Sequence, residues 1–327
     1  MKFLVVQTAF VGDVILATAV LEKLHRFYPG SKIDIVVRKG NESLMAHHPF
    51  LNKVYIWNKR ESKMMNLFKL LFAIRKEKYD HLINLQRFAS SGFLTILSNA
   101  RNTIGFNKNP FALFFSKSKV HDISRHGKIH EVQRNLSLIE TLTDLSFEKP
   151  RLYPSQNDDA ITNPYKVSDY ITIAPASVWF TKQLPKEKWI ALIEKTQLKK
   201  NNTIIYLLGG SEDLKLCEEI KTETGHQNII NLSGKLSMLQ SASLMKDAKM
   251  NYVNDSAPLH LASAVNAPVT AYFCSTVPAF GFTPLSDRSI IIETNENLDC
   301  RPCGLHGYQK CPEGHFRCAH TILMEVN

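Results

Sequence analysis

Apolar and polar positions along this chain switch repeatedly between two periods. Phe3-Leu4-Val5-Val6 is a short apolar run with the length of a buried strand. After the turn Gln7-Thr8-Ala9-Phe10-Val11-Gly12 the spacing becomes that of a helix, opened by Asp13 and continued by Val14-Ile15-Leu16-Ala17-Thr18-Ala19 and ending near Tyr28-Pro29-Gly30. Strand patterns recur at Lys32–Val37, Lys53–Trp57 and His81–Leu85. Between them lie a helical piece ending at His47-His48-Pro49 and a longer helix from Met64 to Lys78. One more helix and one more strand precede a helix from Glu131 to Thr143. From Lys149 to Asp169 the pattern lapses into a polar stretch broken by Pro150, Pro154 and Pro164, the mark of a linker.

The rhythm then restarts. Strands are expected at Tyr170–Ala174, Thr203–Leu208, Ile229–Leu232, Met250–Val253 and Pro268–Phe273, and helices at Pro185–Lys199, Glu212–Thr224, Ser237–Lys246 and Pro258–Val265. No sequence repeat relates the two halves, but their shared alternation does. Apolar strands alternating with helices predict parallel sheets covered on both faces. The expected fold is α/β: two Rossmann-like doubly wound domains, residues 1–150 and 170–295, facing each other across a cleft, with a linker at 151–169 and a tail at 296–327.

Composition narrows the possible partners. The 327 residues are 44% hydrophobic and 21% charged, enough apolar material for two cores. No apolar run is long enough to span a bilayer and the amino terminus does not read as a secretory signal, so a cytoplasmic location is expected. The formal charge of +10 calls for an acidic partner. The lysines are scattered, with no arginine-rich tract or aromatic-basic platform. That weighs against nucleic acid; a phosphorylated small molecule or an anionic membrane surface fits better, against the plain reading of a basic soluble protein.

Candidate chemistry gathers where strands end. In open parallel sheets ligands sit beyond the carboxyl ends of strands. Asp13 falls there, where Gly12 is expected to bend the backbone and helix amides to keep the carboxylate ionised; it reads as a general base or as the cap of its helix. In the second half, Ala174-Pro175-Ala176-Ser177 leaves a strand and Thr181-Lys182-Gln183-Leu184-Pro185 enters a helix. Ser177, Lys182 and the first-turn amides would hold a phosphate or diphosphate. Leu208-Gly209-Gly210-Ser211-Glu212-Asp213 ends another strand, with Glu212 and Asp213 as ribose acceptors or as partners of a helix dipole. Asn254-Asp255-Ser256-Ala257-Pro258-Leu259-His260 repeats the theme, with His260 one turn inside a helix. GxGxxG, Walker, GxSxG and HExxH motifs are absent, which disfavours dinucleotide oxidoreductases, NTPases, serine hydrolases and zincins. Several phosphate cradles with one placed carboxylate fit group transfer from a nucleotide-activated donor.

In their order, these motifs resemble the lipopolysaccharide heptosyltransferases of glycosyltransferase family 9, inverting enzymes of the two-domain GT-B type. The resemblance runs over nearly the whole chain. It is carried by Gly12-Asp13, by Thr181-Lys182-Gln183-Leu184-Pro185 with Trp189, by Gly209-Gly210, by the run from Asn254 to Ala262, and by a cysteine-rich tail. It implies an acceptor-binding first domain and a second domain that binds ADP-heptose. Asp13 then matches the base, Lys182 and the residues around Asp255, including Ser256 and Ala257, match the diphosphate and sugar positions, and Glu212 matches a ribose contact. Ser177 and His260 complete the expected donor set. A lysine and helix amides can stabilise a departing nucleotide diphosphate, so no metal or other cofactor is expected. The acceptor would be a phosphate-bearing lipid, the lipopolysaccharide core, reached at the cytoplasmic face of the inner membrane. Gly12, Lys59, Arg60, Lys63, Arg87 and His130 are its expected contacts; solvated surface for the cations and a buried cap for His130 are the competing readings. A transferase using another nucleotide sugar, or a non-catalytic nucleotide- or lipid-binding scaffold, remains the alternative.

The tail carries Cys300-Arg301-Pro302-Cys303, Cys311 and Cys318, interleaved with His306, His315 and His320. This spacing suits zinc ligands, and a reduced, unmetallated loop is the other reading. Cys217 and Cys274 lie in helix and strand patterns and read as packing residues.

Overall fold

The computed structural model describes residues 1–166, 168–199 and 203–325. Residue 167 of the expected linker and residues 326–327 of the expected tail lie outside them. The chain divides into two compact units, Met1–Ile123 with Ile129–Tyr153, and Ser124–Lys128 with Pro154–Asn327. Among the described residues no helix is long and apolar enough to cross a membrane.

In the first unit the strands are β1 (Lys2–Val6), β2 (Lys32–Arg38), β3 (Leu51–Trp57), β4 (His81–Asn84), β5 (Asn102–Phe106) and β6 (Lys117–Lys119), all parallel in the order β3-β2-β1-β4-β5-β6. The order reverses between β1 and β4. Phe3, Leu4, Val5 and Val6 are wholly buried, as a central strand covered on both faces requires. Helix α1 (Val11–Phe27) buries every residue from Val14 to Leu21, because it is apolar almost all round. Its Lys23 is also buried, and its ammonium is satisfied by the carbonyl oxygens of Asp144 and Ser146 and by the Asp144 carboxylate. Helix α2 (Lys63–Glu77) covers the sheet with Leu67, Leu70, Leu71 and Ile74, an i, i+3, i+4, i+7 stripe. Helices α3 (Ala89–Leu97) and α4 (Glu131–Ser137) complete the unit.

In the second unit, β7 (Tyr170–Ala174), β8 (Ile204–Leu207), β9 (Ile229–Asn231), β10 (Asn251–Asn254), β11 (Val269–Phe273) and β12 (Ser289–Glu293) form a parallel sheet in the order β12-β11-β10-β7-β8-β9. In chain order this is the same topology, and the reversal falls between β7 and β10. The helices are α5 (Gln156–Thr162), α6 (Lys186–Lys199), α7 (Leu214–Thr224), α8 (Met238–Asp247), α9 (Ala257–Ala264) and α10 (Arg317–His320).

The structure departs from these expectations at five points. The expected linker contains α5, a seven-residue helix with a Ser155–Asp158 capping box. The helix from Glu131 stops at Ser137, with turns beyond it. Two strands, β5 and β6, stand where one was expected. The sequence reading also passed over β12, a half-exposed strand at the sheet edge. The tail belongs to the second unit's core, where Phe316, Cys318, Ala319, Ile322 and Met324 pack with Trp189, Tyr272 and Cys274.

Candidate active site

In the first unit the residues after β1 are held by side chains from its neighbours. The Ala9 N–H donates to Gln7 Oε1 at 3.2 Å, and the Gln86 amide donates to the same oxygen. Asn41 donates to the Ala9 carbonyl at 3.0 Å, and Lys59 Nζ donates to the Thr8 carbonyl and hydroxyl at 2.8 and 2.9 Å. With the turn fixed in this way, α1 opens at Val11, and Phe10 at its N-cap position offers no side-chain cap. Asp13 is therefore the third residue of the helix rather than its cap. Gly12 lies inside the first turn, so it is not the bend that was expected there. At this position the carboxylate still gains from the helix dipole, and it is only partly exposed.

A positive cluster surrounds that edge. The Arg38 guanidinium stacks 4.7 Å over the Phe10 ring. Burial, and after it the Arg60 charge, push Arg38 below its ordinary value, while the charge of Asp13 opposes them. Burial, with Arg38 and Lys63 nearby, brings the Lys59 ammonium down to about 8. Arg60 and Lys63 are exposed, and Arg87 is half-buried three residues beyond β4. Arg38 thus feels the charges of both Arg60 and Asp13, and Lys59 those of Arg38 and Lys63. Arg38 was missing from the sequence reading, which ended its strand at Val37; its place as the last residue of β2 was the available signal. His130 is buried as the N-cap of α4. Its Nδ1 accepts from the Val132 N–H at 3.1 Å, and its own N–H donates to Gln133 Oε1 at 2.9 Å.

In the second unit a buried ion pair lies beyond β7 and β10, on either side of the topological reversal. Lys182 Nζ is 2.8 Å from Asp255 Oδ2, with side chains 15% and 6% exposed. The Thr276 hydroxyl donates to that same oxygen at 2.6 Å. Asn254, wholly buried, ties the surrounding loops together. Its Nδ2 donates to the Pro175 carbonyl at 2.8 Å, and its Oδ1 accepts from the Leu184 N–H at 2.9 Å. Asn254 opens the motif that runs to His260, but nothing in the sequence marks it for this work. Ser177 stands in the same loop, where its N–H donates to Gln183 Oε1 at 3.1 Å. Pro185 precedes α6 instead of joining it. Ser256 is the N-cap residue of α9, followed by Ala257 and Pro258, and its hydroxyl oxygen is buried without a protein partner. His260 is buried within α9.

At the end of β8, Gly209 and Gly210 lie under two carboxylates. A Cβ on Gly209 would meet the Asp213 Cβ at 2.7 Å. Asp213 is committed to this turn, since its Oδ2 accepts from the Gly210 N–H at 2.8 Å, and burial raises its carboxyl above the usual range. Glu212 is exposed and remains able to receive a ribose hydroxyl.

The tail buttresses these loops. The Tyr308 N–H donates to Thr181 Oγ1 at 2.8 Å and its carbonyl accepts from the Thr181 N–H at 3.0 Å. Gly307, with φ at +77°, allows this approach: a Cβ there would lie 2.8 Å from Thr181 Oγ1. Arg301 donates to the carbonyls of Cys274 and Thr276 at 2.7 and 2.8 Å and pairs with Glu293 at 2.6 Å, fixing the loop that carries Thr276. The four tail cysteines are free thiols. Burial, with Cys303, Cys311 and Cys300 nearby, pushes the Cys318 thiol up to about 12. Among the described residues no group of three or more His, Cys, Asp or Glu is placed to hold a metal ion, so the zinc spacing is not matched by a ligand set. Cys217 and Cys274 are packing residues, both wholly buried.

Residues 67–308, well over half of the chain, match the model of glycosyltransferase family 9 (heptosyltransferase). The chain is 27% identical over 292 residues to lipopolysaccharide heptosyltransferase 3 of Escherichia coli, spanning 86% of this chain and 85% of that protein. It is similar to the structure of E. coli ADP-heptose lipopolysaccharide heptosyltransferase II, with a TM-score of 0.76, 22% identity and coverage of 94% and 92% of the two chains. The E. coli heptosyltransferase WaaC solved with ADP-2-deoxy-2-fluoro heptose aligns with a TM-score of 0.71 at 22% identity, over 90% and 93% of the chains. These likenesses identify the two doubly wound units as the GT-B fold. The chain is a member of glycosyltransferase family 9, the heptosyltransferases, and an enzyme of sugar transfer.

Proposed function

We propose that this enzyme moves a heptose from ADP-heptose to a phosphorylated lipopolysaccharide inner-core acceptor, with inversion at the anomeric carbon and no metal requirement. Similar proteins carry lipopolysaccharide heptosyltransferase names, and one was solved with a fluorinated ADP-heptose. The observation that carries the reading is the Lys182–Asp255 pair at the reversal of the second sheet, beside the amino end of α9.

An acceptor hydroxyl oxygen attacks the anomeric carbon while the Asp13 carboxylate takes its proton. As the new C–O bond forms, the bond to the diphosphate oxygen breaks and ADP leaves. Lys182 and the Ala257 N–H at the amino end of α9 meet the charge that develops on it, and this supplies the stabilisation a metal would otherwise give. Ser177 and the Ser256 hydroxyl add donors, Asp255 receives sugar hydroxyls, Glu212 receives the ribose, and His260, buried one turn into α9, completes the donor side. Arg60, Lys63 and Arg87, with Arg38, receive the acceptor phosphates beside Gly12 and Asp13. His130 acts by holding α4. The acceptor is a lipid, so the enzyme works at the cytoplasmic face of the inner membrane.

The test is incubation of the purified chain with ADP-heptose and core acceptors in EDTA, followed by product mass. The expected result is acceptor lengthened by one heptose with equimolar ADP. Release of nucleotide only from another nucleotide sugar would replace the donor. No release with any donor and acceptor would leave a binding scaffold.

A further inference from the structure

Helix α2 presents a second apolar face that the fold does not use. Its core stripe, Leu67, Leu70, Leu71 and Ile74, is buried. Beside that stripe, round the outward side of the helix, Met64, Met65, Phe68 and Phe72 are 55%, 59%, 41% and 64% exposed. Phe68 meets Phe93 of α3 edge-on at 6.0 Å, which extends the patch across two helices. Together these side chains expose a few hundred Å², the size at which an apolar patch on a soluble protein marks an interaction site.

The charges around the patch identify its occupant. Helix α2 carries Lys63, Lys69, Arg75 and Lys76 against one acid, Glu77, which is already paired with Lys2 at 3.1 Å and with Lys53. By helical spacing Lys69 and Lys76 flank Phe72 on the outward face. A symmetric contact with a second copy would bring these cations against their own equivalents. Protein interfaces, moreover, deplete lysine at their apolar centres. A bilayer with anionic headgroups suits the arrangement, since Phe and Met enter the acyl boundary while lysine stems reach back to the headgroups.

We propose that the outward face of α2 docks the first unit onto an anionic membrane surface. This deepens the reading of a lipid-borne acceptor, on which it rests, by naming the surface that meets the lipid. The full chain is tested by flotation with vesicles of phosphatidylethanolamine and phosphatidylglycerol, and with phosphatidylcholine alone, at low and high salt. No donor or acceptor is present, so the outcome is independent of the transfer reaction. The wild type is expected to float with the anionic vesicles and to be released by salt. The Phe68→Ser/Phe72→Ser and Lys69→Gln/Lys76→Gln pairs are expected to lose about tenfold or more in partitioning, with unchanged circular dichroism and unchanged activity on a delipidated, soluble core acceptor. Wild-type absence from anionic vesicles, or equal flotation of the variants, would overturn the proposal. So would a patch whose substitution only changes the oligomeric state in light scattering, since that would assign the face to a second copy.

Discussion

Lys182 is the side chain on which donor binding turns in this account. It closes a single 3-10 turn, Phe180–Lys182, between β7 and α6, its ammonium is mostly shielded, and its partner Asp255 is itself hydrogen-bonded to Thr276. Lys182→Ala is expected to weaken ADP binding about tenfold to hundredfold, the worth of a charge-assisted contact in a shielded site. Calorimetric titration with ADP checks this, and unchanged affinity would remove Lys182 from the donor set. Lys182 and Asp255 were legible because each sits in a short polar break after an apolar run. Arg38 and Asn254 were not, because each closes its strand and reads there as an edge residue; only the sheet order brings them to the site.

At the scale of elements, α1 contains a titration that the core imposes. Glu22 is packed beneath Tyr153, whose hydroxyl donates to both carboxylate oxygens at 2.9 and 3.0 Å, and burial raises its carboxyl to about 7. The neighbouring His48, 3.7 Å away, is lowered by burial to about 4. A carboxyl that holds its proton more tightly folded than unfolded contributes stability below its unfolded value near 4.5, and loses it as pH rises toward 7. His48 has the opposite slope, since it is neutral when folded and charged when unfolded between about 4 and 6.5. Glu22→Gln removes only the first slope. The variant's stability relative to wild type should therefore rise by about 1–3 kcal/mol between pH 5 and pH 8. Urea unfolding at the two pH values measures it, and a difference independent of pH would contradict the assignment.

The tail gives the second element-scale expectation. Arg301 satisfies the carbonyls of the loop after β11, so Arg301→Ala should cost about 2 kcal/mol of stability and weaken ADP binding by releasing Thr276 from Asp255. Denaturant unfolding and ADP titration of the same variant check both parts; loss of stability with full ADP affinity would limit Arg301 to packing. The alternation of strands and helices was readable because parallel strands buried on both faces are apolar throughout. Short elements escaped. Helix α5 has seven residues and little periodicity, and β12 is half-exposed at an edge, where Ile290-Ile291-Ile292 lacks the alternation of a one-sided strand.

For the whole molecule, two sequences without a recognisable repeat fold into sheets of the same strand order, and in each the candidate chemistry lies where that order reverses. The roles proposed for the two edges were legible only as a family resemblance, because no periodicity distinguishes a sugar acceptor from any other anion. The structure adds the partners: Arg38, whose charge interacts with that of Asp13, in one unit, and Thr276 and Asn254 around Lys182 and Asp255 in the other. The central claim is that the Asp13 carboxylate removes the acceptor proton. Its most direct test is the rate of heptose transfer by Asp13→Asn, which keeps the size of the side chain and removes its basicity. The expected rate is lower by about a hundredfold or more, with ADP affinity unchanged. Transfer at the wild-type rate would contradict it.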